Sequence, residues 1–438
     1  MKKLVQIILL SICFVEAGQA QVLQEAKDLK SSVNQPYVDV SDMDLFPPIF
    51  DSNDAGSTAE NTPGPIKNFS HSNGKDDSSR LNELIAELTK GGTINIATGN
   101  YVFGSVHLKS NIRINFAPGV VVKIPEGKDG FYIGYEPNKP RVENVKFIGL
   151  GSISSRPKFI LERNGKKITR LMQIGYAYNV LIQNLTIEDH QTKGAAIAFN
   201  PVKIGKTTTA NRPEKVTVTN VGLTGGSVGY GLAQLNVGQN ITLRNLSCEG
   251  GVTCRIESHN GRKYDLGTAD LRMFNVTNKN GFATVLLQPH SVENGTVTVD
   301  GAASYGSAFT AFIVEGFVAK ESKRKQVGTF AANSSFKNIS MVATDDTATL
   351  PFKNLKYLNP ELNALYSQPN FKIDNMDVNV EFDAQGLPTS NAPLLGPSVA
   401  AIYTSAVSYQ PLFPALKEIS LEGKIMHREK ILRKPKAK

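Results

Sequence analysis

Short segments of this chain place carboxylates, imidazoles and amides where they can act together. Arg255, Glu257 and His259 alternate along Cys254-Arg255-Ile256-Glu257-Ser258-His259. Residues two apart in a strand face the same side, so these three share a face and Cys254, Ile256 and Ser258 share the other. Gln288 and His290 repeat the spacing, as do Gln234 and Asn236. A carboxyl in such company can give a proton, an imidazole with a pKa of about 6.5 can take one, and amides can hold water or substrate. Parallel strands stack about 4.8 Å apart. Stacked in that way, the segments Ala196–Asn200, Ala233–Asn236, Ile256–His259, Leu287–His290 and Val314–Phe317 form two columns. One holds Ala198, Gln234, Glu257, Gln288 and Glu315; the next holds Asn200, Asn236, His259, His290 and Phe317. Singly, each polar residue fits a solvated face. Together they are costly to place unless they act.

Other candidates are weaker. Glu188-Asp189-His190 has no second ligand pair at metal spacing, so no metal is assigned. No phosphate-binding Gly-rich loop or nucleophile elbow occurs.

The elements that must position these residues repeat. A pattern of Asn, two residues, an apolar residue, one residue, Asn and an aliphatic residue runs through Asn179–Leu185, Asn240–Leu246, Asn333–Ile339 and Asn370–Met376. Looser copies are Lys215–Val221, Asp270–Val276 and Gly295–Gly301. The second Asn position falls at Asn184, Asn220, Asn245, Asn275, Asp300, Asn338 and Asn375, at intervals of 25 to 38 residues. Self-similarity on that scale signals a stacked-repeat fold, and asparagines stacked at one tight turn explain the recurring residue. The units alternate apolar residues as strands do. The expectation is an all-β chain forming a right-handed parallel β-helix. A helix capped by Asp77, Ser78 and Ser79, with Leu81, Leu84, Ile85 and Leu88 on its apolar face, is expected to plug the N-terminal end. The β-helix is expected over 76–425, after an arm at 21–75, with an excursion at 318–369 that opens on the basic run Lys320–Lys325. A poorly ordered basic tail, 426–438, is expected to follow.

Lys2, Lys3, the apolar run Leu4–Leu10 and the small residues Gly18 and Ala20 read as a signal peptide over 1–20. The expected protein is therefore secreted, with no membrane span. Cleavage would remove two positive charges and one negative, lowering the formal charge from +9 to +8. A basic exported chain suggests an anionic partner. Without a nucleic-acid motif or a basic stripe, a polyanionic glycan fits better than nucleic acid, and the chain is expected to be a monomer. Cys248 and Cys254 remain after cleavage, as a small disulfide loop or as two buried thiols.

Two resemblances follow from these residues. Gly91–Ile96 and His107–Asn111 resemble the opening of pectin-lyase-like β-helices, which supports the fold. The Asn-Thr-Asp strand, paired Asp-Asp, Gly-His-Gly and Arg-Ile-Lys of polygalacturonases are missing. Gln234, Cys254–His259, His290 and Glu315 resemble the active-site strands of the iota-carrageenases, glycoside hydrolase family 82. That resemblance implies an endo-acting hydrolase of a sulfated galactan, working with inversion, with Glu257 as general acid and Gln234, His290 and Glu315 as helpers. It requires no cofactor; a bound calcium, sodium or chloride ion is left open. His259 stands where the family has its basic Asp. Two residues along a strand cover about 6.6–6.8 Å, within the separation of about 6.5–9.5 Å for an inverting pair, so His259 is the favoured base; alternatively His259 only orients the water and Glu315 or an outer carboxylate takes its proton. Arg255, Arg262, Lys263 and Arg272 are expected to take sulfate groups, beside Gln288 and Asn236. A hydrolase or lyase of another acidic polysaccharide and a non-catalytic glycan-binding β-helix are the alternatives.

Overall fold

The computed structural model describes residues 64–70, 76–163, 167–351, 354, 358, 393–427 and 429–433. The expected signal peptide, nearly all of the arm and the repeat copy Asn370–Met376 lie outside the described residues.

The chain is a right-handed parallel β-helix built from three ladders of parallel strands. The first ladder runs from Ile66–Phe69 through the opening parts of Ala177–Asp189, Glu214–Leu235 and Gly238–Glu257 to Ser335–Val342. The second continues from it around a corner, pairing Asn100–Val102, Val121–Ile124, Lys158–Leu161 and Thr186–Asp189. The third carries the candidate site. Its rungs are Val106–Leu108, Asp129–Ile133, Arg170–Ile174, Ala195–Phe199, the ends of Glu214–Leu235 and Gly238–Glu257, Ala283–Gln288, Phe309–Ile313 and Ala400–Thr404.

Both asparagines of the repeat make corners. Asn111, Asn144, Asn179 and Asn240 have φ between 53° and 62°, and Asn184, Asn220, Asn245, Asn275 and Asn338 between 50° and 60°. Asparagine tolerates this left-handed backbone better than other side chains. Its amide then bonds the next turn: Asn144 Nδ2 donates to Asn111 Oδ1 at 2.9 Å, Asn179 to Asn144 at 2.7 Å, and Asn245 to Asn220 at 2.9 Å. At one rung the sequence reading is off by a residue. Phe274 pairs with Asp300 and Val276 with Ala302, so Gly301, with φ +80°, stands opposite Asn275, and Asp300 precedes the corner. A Cβ on Gly301 would meet Asn275 Oδ1 at 2.7 Å, so glycine suits this corner both in backbone and in space.

Alternate side chains fill the interior. Phe116, Phe131, Phe147 and Phe159 pack together with ring centroids 4.6–6.4 Å apart, each fully buried and each contributing about 1.5–3 kcal/mol by leaving water. The helix Ser78–Glu87 closes the N-terminal end with Leu81, Ile85 and Leu88 buried. Asp76 is the residue that caps it, its carboxylate accepting from the Ser78 amide at 2.9 Å; the Asp77 side chain makes no capping bond.

A second apolar cluster lies on the outer side of the third ladder's C-terminal rungs. There Leu286, Phe312 and Tyr403 pack with Ala348, Leu350 and Leu394 of an antiparallel pair, Ala348–Pro351 with Pro393–Gly396. The described part of the excursion thus includes this cover, and Ser335–Val342 rejoins the first ladder. Part of the expected basic tail is also structured: Ile431–Arg433 pairs with Ile402–Thr404, with Ile431 and Leu432 buried. Cys248 and Cys254 form no disulfide. They are buried free thiols, and burial raises the pKa of each well above its ordinary value.

Candidate active site

Glu257 ends its strand with a buried carboxylate. Arg255 Nη2 lies 2.5 Å from Glu257 Oε2, Gln234 Nε2 donates to the same oxygen at 3.2 Å, and His290 Nε2 is 3.2 Å from Oε1. The pleat brings Arg255 and Glu257 to one side, and the inner partners Cys254 and Ile256 are in the core. Just after Glu257 the chain turns. The His259 amide donates to the Glu257 carbonyl at 2.7 Å and the Arg262 amide to the Ser258 carbonyl at 3.0 Å. Ser258 faces inward and bonds Asn294 Oδ1 at 2.8 Å. The turn lifts His259 into solvent, its ring edge-on to His290 with centroids 5.4 Å apart.

Burial pushes the Glu257 carboxyl up, but Arg255, the His290 hydrogen bond and the nearby imidazoles outweigh it and hold the group well below the usual carboxylate range. Glu257 is therefore ionised in the free protein. His259 is lowered, first by burial and then by the Arg262 charge, so it is neutral at neutral pH. Donor atoms of Glu257, His259 and His290 all lie within 4.8 Å of one another, a spacing a metal ion can bridge. Arg255 already supplies positive charge against that carboxylate. The same 4.8 Å is shorter than the separation of about 6.5–9.5 Å expected of an inverting pair, because the turn after Glu257 folds His259 back over it.

The columns read from sequence are partly rearranged. Gln234 pairs with Arg255, and Gln288 with Glu257. Gln234 reaches Glu257 diagonally. Glu315 is not in the cluster: its carboxylate accepts from the amides of Val407 at 2.5 Å and Ser408 at 3.1 Å, and so holds a C-terminal loop. Asn236 is buried, donating to Asn200 at 2.9 Å and accepting from the Asn260 amide at 3.0 Å, so it braces the turn and does not face substrate. Arg262 is also buried; it donates to the His259 carbonyl at 2.6 Å and pairs with Glu321, which ties down the basic loop. Arg272 lies on the first ladder, opposite Thr242 and Thr298, around a corner from Glu257. Lys263 is exposed, and Gln288 half-buried. One site neighbour was not read from the sequence: Tyr230, whose ring lies 5.3 Å from the Arg255 guanidinium; Phe317, expected in the column of His290, is an exposed ring 4.5 Å from it. The signal for Tyr230 is an aromatic within the glycine-rich run Gly225–Gly231.

No family model matches the chain. An iota-carrageenase of Zobellia galactanivorans is 30% identical over 281 residues, 61% of this chain and 54% of that relative. An iota-carrageenase of Alteromonas macleodii is 28% identical over 267 residues, 58% of this chain and 52% of the other. The chain spans about half the length of the curated relatives it matches. A solved 1,3-α-1,4-β-D-galactose-4-sulfate-3,6-anhydro-D-galactose-2-sulfate 4 galactohydrolase superposes with a TM-score of 0.71 at 19% identity, covering 86% of this chain and 92% of that one. An iota-carrageenase of family 82 from A. fortis gives 0.68 at 20% identity, covering 86% and 90%. At 19–20% identity these structures speak for the fold alone.

Proposed function

We propose that this chain, with relatives in the iota-carrageenase family, is a secreted glycoside hydrolase that cuts within a sulfated galactan. The observation that carries the reading is Glu257: a buried carboxylate gripped by a guanidinium, an amide and an imidazole, at the end of an outward-facing strand. Structural ion pairs gain little from such a setting, whereas a proton donor needs neighbours that control its charge.

Glu257 is the general acid in this reading, and Arg255 sets when it can act. A sulfate ester seated on Arg255 draws the guanidinium away from Glu257 and brings its own negative charge. Both effects favour the protonated carboxyl, which then gives its proton to the leaving oxygen. Gln234 and His290 hold the carboxyl in place. Hydrolysis with inversion asks for a water on the opposite face of the sugar. His259, neutral and exposed, takes that water's proton after its ring swings outward from His290. The chemistry uses side chains and water alone.

Incubation with iota-carrageenan, other carrageenans, agar and pectin, followed by measurement of reducing ends, tests the reading. Cleavage of a sulfated galactan is expected. Unsaturated products absorbing in the ultraviolet would mark a lyase, and binding without new ends would mark a glycan-binding protein.

A further inference from the structure

The column that carries Gln234 and Arg255 continues in register to both ends of the third ladder. Toward the C-terminus, Arg255 pairs with Leu286, Leu286 with Phe312 and Phe312 with Tyr403. All three lie buried under the antiparallel cover. Toward the N-terminus, Gln234 pairs with Ala198, Ala198 with Gln173, Gln173 with Tyr132 and Tyr132 with His107. Here the column opens.

Ala198 is small, and Gln173 is held down by bonds to Asp129 at 3.1 Å and Asn200 at 2.6 Å. They form a low floor that ends in a step of rings. His107 stacks on Tyr132 with centroids 4.8 Å apart and planes 22° off parallel, and Tyr132 lies 6° off parallel to Tyr135 at 6.3 Å. The contact of His107 with Glu136 at 2.5 Å fixes the imidazole. A cavity of about 290 Å³ lies beside the rings, with Lys139 exposed at its rim.

We propose that this aromatic step is a distal sugar-binding subsite for an anionic polysaccharide. The inference rests on the reading that a galactan lies along the column. With the C-terminal rungs covered, a polymer following the column past Gln234 passes over Ala198 and Gln173 and meets Tyr132 three rungs away, about 14 Å on. The C–H face of a sugar ring suits an aromatic face, which is apolar and carries negative charge density. Lys139 meets a sulfate at the rim. None of the rings is needed for the fold: Tyr132 is half-buried and His107 exposed, outside the main core.

The test uses iota-carrageenan oligosaccharides, a single repeat and a chain long enough to span that distance, with binding measured calorimetrically on the Glu257→Gln protein. In that background, Tyr132→Ala is expected to weaken the long oligomer about three- to tenfold, the worth of one ring contact. The single repeat should be unaffected, and Tyr132→Phe should keep the affinity. Unchanged binding of the long oligomer, or equal weakening of both lengths, overturns the subsite while leaving the hydrolase reading intact. Tyr132-dependent binding of the long oligomer by a protein that cuts no galactan upholds the subsite and overturns the hydrolase. Absence of binding at either length overturns the subsite outright, while cleavage by the unmodified protein still decides the hydrolase reading separately.

Discussion

Two glutamate–histidine pairs in this molecule look alike on paper. Glu188 and His190 meet at 3.0 Å, with Lys158 at 3.2 Å from the carboxylate; Glu257 and His290 meet at 3.2 Å, with Arg255 at 2.5 Å. Both carboxyls are pulled below their ordinary pKa, Glu188 by its hydrogen bond to His190 and by Lys158. The difference is water. The Glu188 and His190 side chains are 38% and 36% exposed, those of Glu257 and His290 only 9% and 2%. Solvent screens the first pair to about 0–1 kcal/mol. In the second, each neighbour changes the charge of the others, because burial opposes ionisation and only Arg255 and the imidazoles restore it. A cluster of reactive residue types becomes a candidate site when its charges depend on one another. Asp189, beside Glu188 in sequence, makes the point from the other side: burial outweighs its hydrogen bonds from Thr192 and Ser227 and the pull of His190, and pushes it up to about 7.

The comparison can be broken most decisively at Glu257. Glu257→Gln should lower the rate of reducing-end release by about 10²–10⁴-fold, with circular dichroism unchanged, whereas Glu188→Gln should stay within about twofold. Comparable losses in both would erase the distinction.

His259→Ala should cost about 10²-fold, the lower end for a general base. Because its pKa lies below the ordinary 6.5, the acid limb of the wild-type profile should fall below about pH 6.5 and vanish in the variant. A variant within a few-fold of wild type, with the limb in place, would move the base elsewhere.

A smaller effect concerns stability. The folded pKa of Asp189 is raised above its unfolded value of about 3.8. Its burial therefore costs nothing below pH 4, and stability is lost as pH rises through 4 to 7. Asp189→Asn keeps the side-chain oxygen that accepts from the Thr192 amide at 2.9 Å. It should raise the melting temperature by about 2–4 °C at pH 8, with the gain shrinking toward pH 4. An equal gain at both pH values would mean that packing, not ionisation, is responsible.

Most of the fold was legible because its corners are written in asparagine, a residue that both adopts the turn and bonds its neighbour. Gly301 escaped notice because glycine makes the same corner without the amide. The site was legible within a strand but not between strands. Arg255, Glu257 and the inward Cys254 and Ile256 follow from alternation alone. The cross-strand columns rest on matching the strand that follows each corner, and the register shifts between Leu223 and Gly226 and again before Gly231. A bulge of that kind changes the offset without leaving a periodic trace, so Gln234 moved beside Arg255. Glu315 sits just past the last paired residue of its strand, Ile313, where no ladder sets its direction. Arg262 was taken as a free cation because its partner Glu321 lies far along the chain.

The asparagine corners also make the molecule a ruler with fixed graduations. Val216 pairs with Ile241, so one bare turn takes 25 residues, and it advances the column by about 4.8 Å. Length can therefore be added only in whole turns that bring their own corners, and a fractional insertion must loop outward. A turn spliced between the rungs of Tyr132 and Ala198 would lengthen the track by one graduation and leave Glu257, Arg255 and His290 where they are. A descendant of this chain could thus change how long a polymer segment it measures without touching where it acts on it.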